Sequence, residues 1–348
     1  MRRSGRTQRL PRLAAQCVVA EVEAGVTPCV MTEYGIHASH EQIPPADLLA
    51  AVIVAERHGF EAAMCSDHFS PWSHRQGQSA FAWSWLGAAL QATNLSFGVV
   101  NAPGQRYHPA IVAQAIGTLA AMFPGRFWAA LGSGEYSNEH ITGGPWPRKE
   151  VREARLLESV EVIRALLAGD EVTRDGLVIV DRARLWTRPA EVPPLFGAAV
   201  STKTAAWCAG WADGLVTVNA PAEHLRAMIA AYRDAGGAGP VCLQVHLSWA
   251  PTEDEAEAIA HDQWRSNVFR PPVCWDLETV EQFDVVSENV TVAQVRQVVN
   301  VSADLEAHIE WLREYSSLGF DRIYLHHVGQ DLMPFIETFG AKVLPALR

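Results

Sequence analysis

The chain has 348 residues, of which 49% are hydrophobic and 19% are charged, and its formal net charge is −11. This composition excludes a disordered, collagen-like or coiled-coil protein, and the acidic balance disfavours nucleic acid as a partner. No apolar run approaches the roughly eighteen residues that a membrane span needs. We therefore expect a globular, cytoplasmic protein without nucleic-acid or membrane partners.

The N-terminal segment and the cysteines give little sign of export or of metal binding. The start of the chain is rich in arginine, but Glu21 and Glu23 interrupt any apolar segment of a signal peptide. We expect residues 1–26 to form a disordered basic tail. The six cysteines are scattered without a Cys-x-x-Cys pair, which argues against a zinc module or a disulfide framework and predicts no metal site.

Residues 27–348 alternate short, β-branched apolar runs with amphipathic stretches, which is typical of βα units in a parallel sheet. Eight strands are predicted, at Val26–His37, Glu61–Ser66, Leu95–Val100, Phe127–Leu131, Leu195–Val200, Leu215–Val218, Val241–Ala250 and Arg322–His326. The spacing of apolar residues predicts helices at Ala46–His58, Ser79–Gln91, Pro109–Met122, Lys149–Leu167, Ala222–Ala235, Glu253–Asn267, Leu305–Ser317 and Leu332–Ala346. This order predicts a single α/β domain with the fold of a (β/α)8 TIM barrel.

Two segments interrupt the alternation. Residues 171–182, centred on Asp175-Gly176, are predicted to form a β-hairpin insertion, and residues 268–300 are predicted to form an extended excursion. Several helices end at a glycine that is expected to adopt the left-handed conformation, namely Gly59, Gly125 and Gly319. The loops that follow the strands are longer and more polar, which indicates that the C-terminal face of the barrel carries the function.

Polar clusters follow the second, third and fourth predicted strands. Asp67, His68 and Trp72 follow the second strand, Asn101 ends the third, and Glu135 follows the fourth. Histidine exchanges protons near neutral pH, an adjacent carboxylate can bias its tautomer, and a tryptophan can exclude water. Because the strands of a barrel end at one mouth, we expect His68, Asn101 and Glu135 to face one cavity.

Other interpretations of these motifs are weaker or stay open. A capping aspartate beside a histidine with satisfied hydrogen bonds remains an alternative for the first cluster. The segment Gly132–Glu139 begins like a dinucleotide fingerprint, but Ser137 occupies its sixth position and it follows the fourth strand, which disfavours a Rossmann site. His326 and His327 are neighbours on a strand and therefore point to opposite faces, so they are not expected to share a metal.

Six segments carry a resemblance to a known family, namely Glu33–Gln42 (EYGIHASHEQ), Ser66–Trp72 (SDHFSPW), Arg106–Gln114 (RYHPAIVAQ), Pro124–Arg126 (PGR), Gly132–Glu139 (GSGEYSNE) and Trp146-Pro147. They resemble the luciferase-like flavin and deazaflavin oxidoreductases, specifically the coenzyme F420-dependent branch related to glucose-6-phosphate dehydrogenase. The resemblance implies a luciferase-like barrel, usually a homodimer, with F420 across its C-terminal mouth and hydride transfer at the deazaflavin C5. An FMN-dependent luciferase-like monooxygenase and a non-catalytic cofactor-binding protein of the same fold are the alternatives.

The resemblance also implies a role for individual residues. His68 resembles the histidine that takes a proton from the substrate hydroxyl, and Asp67 resembles the carboxylate beside it, which contacts the cofactor ring. Trp72 resembles a tryptophan that lines the substrate pocket, and Glu135 the glutamate that stabilises a proton on the pyrimidine side of the reduced ring. Further cofactor contacts are implied for Val99, Val100, Asn101, Gly134 and Asn138. A non-proline cis peptide bond is implied between the two valines.

The segment after the fifth strand departs from the family pattern. The family has glycines there whose amides hold the cofactor phosphate, whereas Ala199–Ala205 contains none. We expect Ser201, Thr202 or Lys203 to take over the contact with the phosphate.

A second departure concerns the substrate. The family's sugar-phosphate enzymes hold the substrate phosphate with lysines from later strands and helices, but here no lysine lies between Lys203 and Lys342. We therefore expect a substrate other than glucose 6-phosphate, such as an uncharged secondary alcohol, a hydroxylated lipid or another redox substrate. This expectation fails if one of three arginines replaces those lysines, namely Arg265, Arg270 or Arg296.

Overall fold

The computed structural model describes residues 32–348, and the predicted basic tail at 1–26 lies outside the described residues. The strands are β1 (Glu33–Ala38), β2 (Ala62–Ser66), β3 (Ser96–Asn101), β4 (Phe127–Leu131), β5 (Val172–Asp175), β6 (Ile179–Ala183), β7 (Leu195–Ala198), β8 (Gly214–Val218), β9 (Val241–Ser248), β10 (Asn300–Val301) and β11 (Arg322–His327). The α-helices are α1 (Pro45–Arg57), α2 (Ala82–Ala92), α3 (Pro109–Met122), α4 (Tyr136–Glu139), α5 (Lys149–Ala168), α6 (Thr202–Cys208), α7 (Ala222–Asp234), α8 (Glu253–Trp264), α9 (Val273–Asp276), α10 (Val280–Val286), α11 (Val292–Val295), α12 (Leu305–Ser317), α13 (Met333–Thr338) and α14 (Leu344–Leu347). Short 3-10 turns lie at His140–Thr142 and Arg265–Asn267, and a π-helical turn lies at Phe339–Val343.

A closed parallel barrel organises the molecule. Strands β1, β2, β3, β4, β7, β8, β9 and β11 pair in that order, and β11 pairs back with β1. Strands β2 and β4 are buried along their whole length, as expected for parallel strands that are covered on both faces. The predicted (β/α)8 TIM barrel is therefore confirmed, including all eight of its strands.

Large side chains fill the barrel interior near the starts of the strands. Trp128 on β4 stacks on Phe196 of β7, with ring centroids 4.9 Å apart, and lies 6.0 Å from Tyr324 of β11. Only glycine fits at position 98 of β3, because a Cβ there would lie 1.9 Å from the Trp128 ring. This packing closes the barrel at its N-terminal end, so the space inside it opens toward the C-terminal ends of the strands.

The connections follow the pattern read from the sequence, except for several short helices. The helix-ending glycines Gly59, Gly125 and Gly319 have positive φ angles of 88°, 73° and 93°, which confirms their expected left-handed conformation. Strands β5 and β6 pair as an antiparallel hairpin around Asp175-Gly176. Within residues 268–300 the chain forms three short helices, α9 to α11. These three helices were not predicted, and neither were α4 and α6. None of the described helices is both long enough and apolar enough to cross a membrane.

Candidate active site

A cavity of about 390 Å³ lies at the C-terminal ends of the barrel strands. The residues predicted from the sequence that line it are Asp67, His68, Trp72, Val100, Asn101, Gly134, Glu135 and Asn138. Four predicted cofactor contacts do not line it, namely Val99, Ser201, Thr202 and Lys203. The polar clusters after β2, β3 and β4 thus meet in one cavity, as their positions at the strand ends indicated.

His68 is held by a carboxylate that the sequence analysis did not single out. Its Nδ1 lies 2.6 Å from Oε1 of Glu41, which is buried in the turn after β1, and the Ser39 hydroxyl donates to Oε2 of Glu41 at 2.8 Å. Burial raises the pKa of Glu41, but the hydrogen bond and charge of His68 outweigh it and hold that pKa at about 2. An ionised carboxylate only accepts hydrogen bonds, so His68 carries its proton on Nδ1 and Nε2 is free.

The pKa of His68 is shifted upward, whereas that of Glu41 is shifted downward. Burial lowers it, but the hydrogen bond to Glu41 and the charges of Glu41 and Glu135 outweigh that effect, so the pKa of His68 is raised. The side chain remains 15% exposed, toward the cavity that it lines. His68 is therefore a base with a free Nε2 whose protonated form is stabilised by a buried counter-charge.

Glu135 is the second titratable group that faces the cavity. It follows β4 through Gly134, whose φ of 85° favours glycine. Its Oε2 is buried and has no hydrogen-bond partner within the described residues. Burial raises the pKa of Glu135, and the nearby charge of His68 opposes that rise without cancelling it. This carboxyl group is thus easier to protonate than an exposed glutamate.

Asp67 is fixed by a buried network. Its Oδ2 accepts hydrogen bonds from Asn101 Nδ2 at 2.9 Å and from Trp83 Nε1 at 3.2 Å. Arg106 donates to the Asp67 carbonyl oxygen at 2.6 Å, and its backbone N–H donates to Glu139 at 2.6 Å. Buried acceptors without a hydrogen-bond partner in this part of the chain include Oδ1 of Asp67 and Oδ1 of Asn101. A flat ligand with N–H groups fits such a pair of acceptors.

Asn138 connects the loops after β2 and β4. Its Oδ1 accepts a hydrogen bond from the backbone N–H of Phe69 at 2.7 Å and a longer one from Ser70 at 3.4 Å. Asn138 therefore fixes the segment that carries His68 and leaves its amide nitrogen available to a ligand.

The two valines of β3 face opposite sides of the strand. Val100 lines the cavity, whereas Val99 is buried in the layer between strands and helices. β3 keeps an unbroken register with both neighbouring strands, and the cis peptide bond of the described residues is Pro271-Pro272. The expectation of a cis peptide bond between Val99 and Val100 was therefore wrong.

The end of β7 differs from what the sequence suggested. Ser201 caps α6 by accepting a hydrogen bond from the Thr204 N–H, and Lys203 is exposed. Lys149, at the start of α5, lines the cavity instead, and its Nζ donates to the Thr204 hydroxyl at 3.2 Å. Its position could not be read from the sequence, because it depends on how α5 and α6 meet over the barrel.

An aromatic wall leads away from His68 along the cavity. The ring of Trp72 lies 4.6 Å from that of His68 and 6.2 Å from that of Trp264. Trp264 in turn contacts His246 at 4.7 Å and His326 at 4.8 Å. His326 lines the cavity, whereas His327 stacks on Phe335 outside the barrel. The two adjacent histidines therefore point to opposite faces of β11, as predicted.

Comparisons with known proteins identify the family. The luciferase-like monooxygenase family matches residues 28–322. The F420-dependent glucose-6-phosphate dehydrogenase of Nakamurella multipartita is 32% identical over 330 residues, which cover 90% of this chain and 96% of the relative. The enzyme of the same name from Mycobacterium tuberculosis is 30% identical over 329 residues, which cover 90% and 97%.

Solved structures agree with this relationship. An F420-dependent secondary alcohol dehydrogenase in complex with an F420-acetone adduct matches with a TM-score of 0.84 at 31% identity, over 91% of this chain and 99% of that chain. The F420-dependent tetrahydromethanopterin reductase of Methanopyrus kandleri, with a TM-score of 0.73 at 20% identity over 91% and 100% of the chains, shares the fold. The resemblance predicted from the sequence is confirmed, and the chain belongs to the luciferase-like family.

Proposed function

We propose that the protein is an F420-dependent oxidoreductase that moves a hydride between the deazaflavin C5 and a carbon of an alcohol other than glucose 6-phosphate. The observation that carries this proposal is the His68–Glu41 pair, which leaves a free basic nitrogen in the cavity beside the protonatable Glu135. F420 in the names of the relatives supports the choice of cofactor. When bound, F420 supplies a two-electron hydride acceptor that reacts poorly with oxygen.

The residues around Asp67 fit a deazaflavin ring. The pyrimidine part of that ring carries an N–H donor, and Oδ1 of Asp67 and Oδ1 of Asn101 are buried acceptors that lack a donor among residues 32–348. Gly134 and Val100 line the same part of the cavity and offer little bulk to a flat ring. We assign the cofactor contacts to these four residues and to the Asn138 amide.

His68 acts as the general base. Oxidation of an alcohol removes a hydride from carbon and a proton from oxygen, so the hydroxyl proton needs an acceptor. Nε2 of neutral His68 takes this proton, and the buried Glu41 carboxylate stabilises the imidazolium that forms. In the opposite direction the same imidazolium returns the proton to a carbonyl oxygen.

Glu135 supplies or stabilises a proton where negative charge develops on the cofactor. Its raised pKa keeps a proton on the carboxyl group at a higher pH than an exposed glutamate would. Its unpartnered Oε2 leaves it free to form a hydrogen bond with a ligand.

Lys149 and Thr204 take the place of the missing glycine amides at the cofactor phosphate. Arg106, the other cation lining the cavity, is already paired with Asp67 and Glu139. Lys149 has one partner in Thr204 and one in Glu153, so one of its three N–H donors remains for an anion. This assignment replaces Lys203, which is exposed and does not line the cavity.

The substrate end of the cavity favours an uncharged molecule. It is lined by aromatic, apolar and imidazole groups, namely Trp72, Trp264, Phe269, Phe283, Val298 and His246. None of the arginines that might have replaced the family's lysines lines the cavity, namely Arg265, Arg270 and Arg296, and Arg296 is paired with Glu253 and Glu257. A phosphate ester would bring its charge here without a cation to neutralise it, which costs free energy.

Fluorescence-quench titration with F420, FMN and NADP tests the cofactor assignment. Tight binding of F420, with weak or no binding of the other two, is the expected result, and the F420-loaded protein should then oxidise secondary alcohols in preference to glucose 6-phosphate. Preferential binding of FMN would instead favour the luciferase-like monooxygenase. We also propose a cytoplasmic homodimer, which sedimentation of the purified protein tests through its mass.

A further inference from the structure

Three histidines from neighbouring strands line the cavity where Trp264 packs against two of them. His37 lies on β1, His246 on β9 and His326 on β11, and all three line the cavity. The rings of His37 and His326 stack with centroids 4.4 Å apart, and His246 meets His326 edge to face at 5.3 Å. We call this group the histidine trio. The proposed reaction uses none of its members.

The hydrogen bonds around the trio determine where its protons lie. Gln42 donates through Nε2 to the Val328 carbonyl oxygen, so its Oε1 faces His326 as an acceptor. Nε2 of His326 must therefore carry a proton and donate it to Gln42 at 2.9 Å. Gln244 Nε2 contacts His326 Nδ1 at 3.0 Å and His246 Nε2 at 3.1 Å. An amide nitrogen only donates, so both of these ring nitrogens are acceptors.

Each of these two rings is consequently uncharged. His326 is neutral with its proton on Nε2, and His246 is neutral with its proton on Nδ1. The burial of both rings also favours the neutral form, because it lowers the pKa of His246 to about 3 and that of His326 well below its usual range. Burial also lowers the pKa of His37 to about 4, against an opposing effect of Glu41.

The trio retains hydrogen-bonding capacity that the described residues do not use. Nδ1–H of His246 has no acceptor within residues 32–348, and Nδ1 of His37 is buried there without a partner. Trp72 and Trp264 connect the trio with His68, so one elongated molecule can reach both. His246 is half-buried and lines the cavity, so an oxygen of a bound molecule can pair with the donor that the described residues leave without an acceptor.

We propose that the histidine trio is a subsite for an uncharged oxygen of the substrate, a hydroxyl or carbonyl remote from the reacting carbon, with His246 Nδ1–H as its donor. This inference rests on the proposed function and narrows its substrate class to alcohols with a second, uncharged oxygen. The same neutrality disfavours a phosphate at that position, because His246 and His326, which their hydrogen bonds fix as neutral rings, carry no charge that would neutralise it.

Three probes that share one carbon skeleton test the subsite, namely 2-hexanol, 1,5-hexanediol and the phosphate ester of the primary hydroxyl of that diol. Each has the same secondary alcohol, and only the remote end differs. We expect the F420-loaded protein to bind the diol about three- to tenfold more tightly than 2-hexanol and to bind the phosphate ester least, since one hydrogen bond contributes about 0.5–1.5 kcal/mol.

Two substitutions of His246 separate the lost donor from a general disturbance. His246→Phe keeps a ring without a donor and should remove the preference for the diol, with F420 affinity unchanged. His246→Asn keeps an N–H near the position of Nδ1 and should retain most of the preference for the diol. Equal binding of the diol and 2-hexanol by the unsubstituted protein, or a preference that survives His246→Phe, would overturn the subsite.

Calorimetric binding and turnover report on different proposals. If the protein binds the diol through His246 but oxidises none of the three alcohols, the proposed reaction fails and the subsite stands. If it oxidises 2-hexanol and the diol with the same KM and binds them equally, the subsite fails and the reaction stands.

Discussion

Two groups of histidines that line the same cavity use their side chains in opposite ways. His68 lies 2.6 Å from the buried carboxylate of Glu41, and its pKa is raised. His246 and His326 share the amide nitrogen of Gln244, and their pKa values are lowered. All of these rings are largely buried, so burial alone does not decide the outcome.

The hydrogen-bond partner of each imidazole ring determines whether its pKa is raised or lowered. A carboxylate stabilises an imidazolium and makes His68 a proton acceptor, whereas an amide nitrogen can donate only to a neutral ring. The His68–Glu41 pair is therefore suited to proton transfer, and the neutral histidine trio to recognition of an uncharged group. Removal of groups from the catalytic and cofactor-binding parts of the cavity tests the first half of this division.

The largest effect is expected for His68→Ala. Loss of the proposed general base should reduce turnover of a secondary alcohol by about a thousandfold, while the affinity for F420 should change little, because the contacts with the ring are assigned to other residues. His74→Ala is the matched control, since His74 lies in the same loop but is largely exposed and points away from the cavity. Full turnover in His68→Ala would contradict the role of His68.

Glu135→Gln should have the next largest effect. The amide is close in shape but cannot give up a proton, so turnover should fall by about a hundredfold, with an unchanged melting temperature. Glu150→Gln, at an exposed position outside the cavity, is the control. Steady-state kinetics and a thermal melt of both variants distinguish a lost proton from a damaged fold, and equal turnover in the two variants would argue against Glu135.

The barrel and the three polar clusters were predictable because each depends on local pattern. The strands β2 and β4 are continuous apolar runs, and the residues that follow them must lie at the barrel mouth once the fold is known. Glu41 follows β1 in the same way, within the segment HASHEQ, so a stricter use of that rule would have found it.

Other parts of the site depend on contacts between distant segments. Lys149 reaches the cavity from the start of α5, where its Nζ donates to Thr204 of α6. The sequence alone favoured Lys203, which lies in the segment that lacks the family's glycines but is exposed. The histidine trio brings together β1, β9 and β11, and β1 precedes the other two strands by more than 200 residues. No local period signals such a cluster.

Glu41→Gln is expected to change the pH dependence of turnover. The Glu41 charge raises the pKa of His68, and oxidation of an alcohol needs neutral His68, so turnover falls as the pH drops through that pKa. Without the charge, the pKa of His68 falls and the midpoint of the profile should move to lower pH, with turnover at the plateau reduced about tenfold. Ser39→Ala, which only removes a hydrogen bond to Glu41, should move the midpoint less; a midpoint that stays in place in Glu41→Gln would contradict the coupling.

The smallest effect is expected at the cofactor phosphate. Lys149→Met should weaken F420 binding by about three- to tenfold and reduce its dependence on salt, because one screened ion pair is lost. Lys203→Met is the matched control and should leave both the affinity for F420 and its salt dependence unchanged. The deazaflavin that lacks the phosphate-bearing side chain should bind Lys149→Met as tightly as the unsubstituted protein, so fluorescence-quench titration of the two cofactors assigns the loss to the phosphate. A loss in Lys203→Met instead would restore the assignment that the sequence favoured, and the phosphate would then lie outside the cavity that Lys149 lines.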